Sequence, residues 1–167
     1  MSVRRARAAD WEAILELHRR AFGSDEIPTL VQELQAGGFV ARELSFVAEA
    51  DGVVVGHVLN VWCGLEGSPR RLLQLSPLGV VPERQGEGHG SALVRASLAG
   101  ADRLGEPLLL VEGDPAYYGR FGFVRADELG LLPPPEALYD WAFQVAVLDR
   151  GVELPQGRVI YPEPFSR

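Results

Sequence analysis

The run LSPLGVVPERQGEGHGSALV, residues 75–94, decides how the rest of the chain is read. Its first part is apolar and extended in character, Gly86, Gly88 and Gly90 alternate through its middle, and a helical pattern follows at once. A strand that empties through glycines into a helix presents several backbone N–H groups at the helix N-terminus, where the helix dipole also favours negative charge. Glycine there lets the chain turn and approach an anion without a Cβ in the way. The expectation is a phosphate cradle built mainly from main chain, against the plainer reading of a simple β-to-α turn.

Two familiar phosphate loops fit poorly. A dinucleotide fingerprint needs G-x-G-x-x-G, whereas this loop runs G-x-G-x-G. A Walker loop is excluded because no Gly-Lys-Ser or Gly-Lys-Thr occurs.

Working outward, residues 71–81 read as the strand that feeds the loop and 91–104 as the helix that leaves it, with Leu93, Val94, Ala96 and Leu98 among its apolar positions. Upstream, residues 46–50 and 53–61 are β-rich runs joined by Asp51-Gly52, the signature of a tight hairpin. Before them lie a short segment at 3–7, a helix whose stripe includes Trp11, Ile14, Leu15 and His18, and a second helical pattern at 27–34. Asp10 is the expected N-cap of the first helix and Gly23 its stop. Downstream come an apolar strand at 107–112, a short helix at 115–121, extended structure at 123–124, a last strand at 142–148 and an extended tail at 158–161. Strands alternating with helices imply an α/β fold, a mixed sheet with helices packed on it.

At 167 residues, 47% of them hydrophobic, the chain fits a single domain over 1–167. Pro133-Pro134-Pro135 reads as a loop, since only residues 136–167 follow it. No stretch approaches the roughly 18 to 20 apolar residues of a membrane span, and the N-terminus lacks a secretory apolar block, so the cytoplasm is the expected compartment. A net charge of −7 argues against nonspecific binding to nucleic acid. Cys63 is the only cysteine, so neither an internal disulfide nor a thiolate metal cluster is possible, and its apolar surroundings favour packing over nucleophilic chemistry.

The loop residues Gln85, Gly88 and Gly90 match [QR]-x-x-G-x-[GA], and with Val80-x-Pro82 before and Ser91-Ala92-Leu93 after, the chain resembles the GNAT superfamily of acyl-CoA N-acyltransferases. A second block, GDPAYYGRFGFVRA at 113–126, is similar to the Tyr-x-x-x-Gly-Phe element of that superfamily, and the opening residues resemble its first strand and helix. The resemblance implies a central mixed sheet of about six to seven strands flanked by helices. It also implies acetyl-CoA as cosubstrate and acetylation of a primary amine on a small molecule or peptide, with no metal. Nucleic acid and membrane are not expected partners, and either a monomer or a homodimer is compatible with it.

Residue by residue, the resemblance implies that backbone amides of Gln85, Gly86, Glu87, Gly88, His89, Gly90 and Ser91 hold the CoA pyrophosphate. Leu78, Gly79 and Val80 then pair with the pantetheine arm, in the manner of strand addition. Arg84 and His89 are candidates to supplement the phosphate contacts. Tyr118 maps onto the tyrosine that protonates the leaving thiolate, with Tyr117 the competing hydroxyl. One version of the pattern carries a glutamate base eleven residues before the loop glutamine, and here that position is Gln74. Glu112, at the end of an apolar strand, is the substitute carried forward, beside Glu49 and Asp114. His57 is read as hydrogen-bonded within the sheet rather than as a base. Two other readings stay open: a CoA-binding regulatory module without turnover, and an enzyme of another phosphate ligand.

Overall fold

Near-continuous apolar runs such as VVVGHVLNVWCGL and LLLVE make the middle of this chain strands that are buried on both faces. The computed structural model describes residues 1–166. Its strands are β1 (Ser2–Arg5), β2 (Phe46–Ala50), β3 (Val53–Leu65), β4 (Ser68–Val80), β5 (Leu108–Glu112), β6 (Val124–Arg125), β7 (Leu131–Leu132), β8 (Phe143–Val147) and β9 (Gly157–Ile160). The main path runs β1-β2-β3-β4-β5-β8-β6, and every neighbour on it is antiparallel except β4 and β5. Strand β9 pairs with the far end of β3 at Gly64↔Ile160 and Leu65↔Val159, and in parallel with β7. Nine strands stand where six to seven were expected, because short pieces such as β6 and β7 hydrogen-bond like strands but are too brief to show periodicity.

The helices are α1 (Trp11–Phe22), α2 (Glu26–Ala36), α3 (His89–Arg103) and the single turn α4 (Pro115–Tyr118). They cover two cores that the sheet separates. Leu73, Leu75, Leu109 and Val111 join Leu93 and Val94 of α3, whereas Leu72, Leu108 and Leu110 join Val31 and Leu34 of α2. Each of these leucines is at most 2% exposed, and burial of one such side chain is worth about 1.5–3 kcal/mol. Buried Asn60 of β3 donates to Ser97 Oγ of α3 at 2.8 Å and to the Leu44 carbonyl at 2.7 Å, which fixes that helix on the sheet.

Asp10 does not cap α1. Its carboxylate accepts from both terminal nitrogens of Arg4, at 2.8 and 2.9 Å, and from the Arg7 amide at 2.7 Å, and these contacts hold it down to a pKa of about 2. A guanidinium on β1 outcompetes the helix amides for the same oxygens. Gly23 ends α1 in the left-handed conformation, at φ 71°.

Candidate active site

Strands β4 and β5 pair over only two positions, Gln74↔Leu110 and Leu75↔Val111, and then part. Pro77 has no N–H to continue the ladder, and β5 ends at Glu112 while β4 runs on to Val80. On its other edge β4 remains zipped to β3 through Val58↔Leu78, His57↔Gly79 and Gly56↔Val80. The edge of β4 from Leu78 to Val80 that faces away from β3 therefore has no strand partner, and apart from the Val80 carbonyl, which the Gln85 side chain occupies, its polar groups are available to a ligand.

Beyond that edge the loop turns through Gly86 at φ 79° and Gly88 at φ 92°, conformations that favour glycine, and α3 starts at His89. A cleft of about 480 Å³ opens here, lined by Leu78 and Val80, by the loop from Gln85 to Ser91 without Glu87, and by Arg84, Tyr117 and Arg120. The Gln85 amide donates to the Val80 carbonyl at 2.9 Å, pinning the loop to the strand. Arg84 reaches Asp51 at 3.2 Å and Glu87 at 3.0 Å. His89 is 3% exposed, with Nε2 at 3.3 Å from Glu87 and Nδ1 without a protein partner. Gly79 instead turns its Cα toward α1: a Cβ there would fall 2.7 Å from His18 Nδ1.

The two adjacent tyrosines point to different places. The Tyr117 hydroxyl lies over Gly90, 2.9 Å from where a Cβ would be, and its ring is capped by Arg120 at 4.7 Å. Tyr118 lies over Gly113, just past the end of β5, where a Cβ would fall 2.5 Å from its ring. Its ring meets those of Tyr117 and Phe123 edge-on at 4.9 and 5.6 Å. Burial first, and then Tyr117, pushes the Tyr118 phenol above its ordinary range, so it holds its proton throughout neutral pH.

A second cavity, of about 710 Å³, lies past the split, where Gln74, Ser76, Glu112 and Gly113 meet Tyr139, Trp141 and Tyr161. Glu112 is held there by two donors, the Tyr161 hydroxyl at 2.7 Å and the Leu138 amide at 3.1 Å. Gln74 is buried, and its side-chain oxygen faces the Cys63 thiol at 3.4 Å. Burial pushes that thiol up to about 12, so Cys63 is a packed side chain and no nucleophile.

The remaining candidates sort themselves by contact. Glu49 is tied to Arg4 at 2.6 Å and lines neither cavity. Asp114 accepts from the Ala116 amide at 2.9 Å, capping α4, and borders the second cavity. His57 is buried between His18 Nε2 at 2.8 Å and Ser45 Oγ at 3.0 Å, away from both cavities. Tyr161 and Trp141 also line the second cavity, which the sequence alone does not signal. Nothing local marks them, since they reach the cavity through the pairing of β9 and the packing of the 138–142 loop.

This geometry has close counterparts. The model of the acetyltransferase (GNAT) domain matches residues 2–126. The chain belongs to the GNAT acetyltransferase family. It is 34% identical to the N-acetyltransferase YhbS of Escherichia coli K12 over 163 residues, covering 95% of this chain and 94% of that one. The crystal structure of E. coli YhbS in complex with CoA superposes with a TM-score of 0.88 at 32% identity, over 99% of this chain and 92% of that one. A GNAT acetyltransferase of Brucella melitensis, in complex with acetyl-CoA, gives 0.80 at 30% identity, over 98% and 97%. This GNAT chain is accordingly an acetyltransferase with the family's open mixed sheet. Among the described residues no helix is long and apolar enough to cross a membrane.

Proposed function

We propose that the chain moves an acetyl group from acetyl-CoA directly to a primary amine, both substrates being bound at once on the two sides of the β4–β5 split. The unpaired edge of β4 at Leu78 and Val80 carries this reading, because it lies between an N–H-rich glycine loop and a second cavity that begins at Ser76. Complexes of similar proteins with CoA and acetyl-CoA support it. The diphosphate suits the amides of residues 85–91 at the start of α3, with Arg84, His89 and Arg120 alongside, and the amide-rich arm suits the open strand edge.

The amine approaches from the second cavity and must be neutral to attack. Its nitrogen forms a bond to the thioester carbonyl carbon as the C–S bond breaks. Glu112, at the end of β5, receives the N–H proton, and Tyr118 gives its hydroxyl proton to the departing thiolate. Solvent then takes the proton from Glu112 and returns one to Tyr118, so the net products are an amide and the free thiol. The raised Tyr118 phenol is protonated when needed, and the Tyr161 hydroxyl and Leu138 amide orient the Glu112 carboxylate. Steady-state kinetics of Tyr118→Phe over an amine panel test this: kcat is expected to fall by about 10²-fold or more with acetyl-CoA affinity retained. Unchanged turnover would remove Tyr118 from the mechanism.

A further inference from the structure

The second cavity has a chemistry of its own. Four carboxylates border it, those of Glu26, Glu112, Asp114 and Glu136, and among the described residues no arginine or histidine does. Some acids elsewhere on the chain are met by arginines, as in Arg4 with Asp10 and Glu49, Arg20 with Glu83, and Arg125 with Asp127. None of the four has such a partner among the described residues; they meet only backbone amides or hydroxyls, or nothing.

The aromatic rings on the rim are likewise without a cation among the described residues. Arginine guanidinium groups stack over Trp62, Tyr117 and Phe121, at 4.2, 4.7 and 5.3 Å. Tyr139 and Trp141, which stack on each other at 5.0 Å on the cavity rim, are 56% and 50% exposed and carry no cation of the chain among the described residues. Exposed rings beside unpaired carboxylates form a receptor for a positive charge on an apolar stem. The cavity also runs on: Glu26, Ile27, Leu30 and Phe165 are shared with a neighbouring hollow of about 550 Å³, whose Asp25 is already paired with Arg19 at 2.6 Å.

We propose that the acceptor is an elongated primary amine bearing at least one further positive charge along an apolar chain. Its reacting end lies at Glu112, and its distal cation between the Tyr139–Trp141 pair and the carboxylates of Glu26 and Glu136. This assignment rests on the acetyl-transfer reading above and adds the class of substrate to it. A linear polyamine and the N-terminus of a basic peptide share this chemistry. Electrostatic recognition by carboxylates at a partly open cavity weakens with salt, whereas recognition of an uncharged chain does not.

The test compares spermidine, a lysine-rich peptide with a free N-terminus, n-hexylamine and glutamate as acceptors for the intact protein with acetyl-CoA. Calorimetry of spermidine into the protein saturated with CoA accompanies it. The polycations are expected to exceed n-hexylamine in kcat/KM by about tenfold, and to lose most of that advantage between about 50 mM and 0.5 M salt. Glu26→Gln combined with Glu136→Gln is expected to raise the spermidine KM about fivefold relative to that of n-hexylamine. Preference for spermidine over the peptide assigns a small polyamine, and the reverse a polypeptide N-terminus; either upholds the inference. Equal use of n-hexylamine or glutamate, insensitivity of the preference to salt, or no uptake of spermidine in the calorimeter overturns it. The salt series uses the unaltered protein, so a variant that misfolds leaves it decisive. Acetyl-CoA turnover without cation preference defeats this inference alone, whereas failure to bind acetyl-CoA defeats the reading beneath it.

Discussion

Glu112 is held from two sides, and its proposed role as a base depends on where those contacts aim it. The Tyr161 hydroxyl donates to one carboxylate oxygen at 2.7 Å and the Leu138 amide to the other at 3.1 Å. Removing the hydroxyl in Tyr161→Phe leaves the ring in its pocket but frees one side of the carboxylate, so under the proposed mechanism Tyr161 positions the base. Turnover is expected to fall by about tenfold, with the pH profile of kcat displaced and the KM for acetyl-CoA kept. Glu112→Gln, which keeps the shape but cannot take a proton, is expected to lose about 10²-fold in kcat. A pH profile of Tyr161→Phe that overlays the parent would assign Tyr161 to packing alone.

Between α1 and the sheet, His18 and His57 form a buried neutral pair beside Gly79 of β4. A Cβ at Gly79 would meet His18 Nδ1 at 2.7 Å and Cε1 at 3.1 Å, and His18 has no room to retreat because His57 holds its other nitrogen. Gly79→Ala is expected to cost about 1–3 kcal/mol of stability and to weaken acetyl-CoA binding, read as a lower Tm and a higher Kd. The same pair gives the fold an acid limit. Burial lowers His18 from 6.5 to about 4, and His57 moves in the same direction. Below pH 6.5 the unfolded chain therefore binds protons that the folded chain refuses, so stability falls as pH drops from 6.5 toward 4. For His18 alone the loss is on the order of 3 kcal/mol. Thermal unfolding across that window, with a flat Tm above pH 7 and a steep fall below 6, is the expected record.

The elements differ in how much of them the sequence disclosed. The β4-loop-α3 unit was legible because its determinants are local: an apolar strand, glycines in positions of positive φ, and a helix stripe immediately after. The hairpin of β2 and β3 was legible from Asp51-Gly52 for the same reason. Asp10 was misread because its partner, Arg4, lies on another element, and long-range charge pairing leaves no spacing to count. The second cavity was illegible for the same cause on a larger scale: Gln74, Glu112, Trp141 and Tyr161 converge through sheet pairing and loop packing rather than through any motif.

At the scale of the whole molecule, the sheet works as a partition with one opening. It is zipped from β1 to β4 and again from β5 through β8 to β6, and between these two halves the β4–β5 seam parts after two positions. The N–H-rich cleft with its arginines lies on one side of that opening and the acidic, aromatic cavity on the other, an arrangement suited to separating the proposed anionic cosubstrate from the proposed cationic acceptor. All sixteen basic residues apart from the histidines are arginine, so the chain offers no lysine amine of its own, and any acetyl-lysine formed in an assay belongs to the acceptor.

Isothermal titration of acetyl-CoA into the folded protein probes that division most directly. One molecule is expected to bind per chain, and Gly88→Trp, which fills the loop beside the start of α3, is expected to abolish uptake while circular dichroism shows the fold retained. Absence of any heat or displacement with acetyl-CoA on well-folded parent protein, or equal binding by Gly88→Trp, would contradict the placement of the cosubstrate in the β4–α3 cleft.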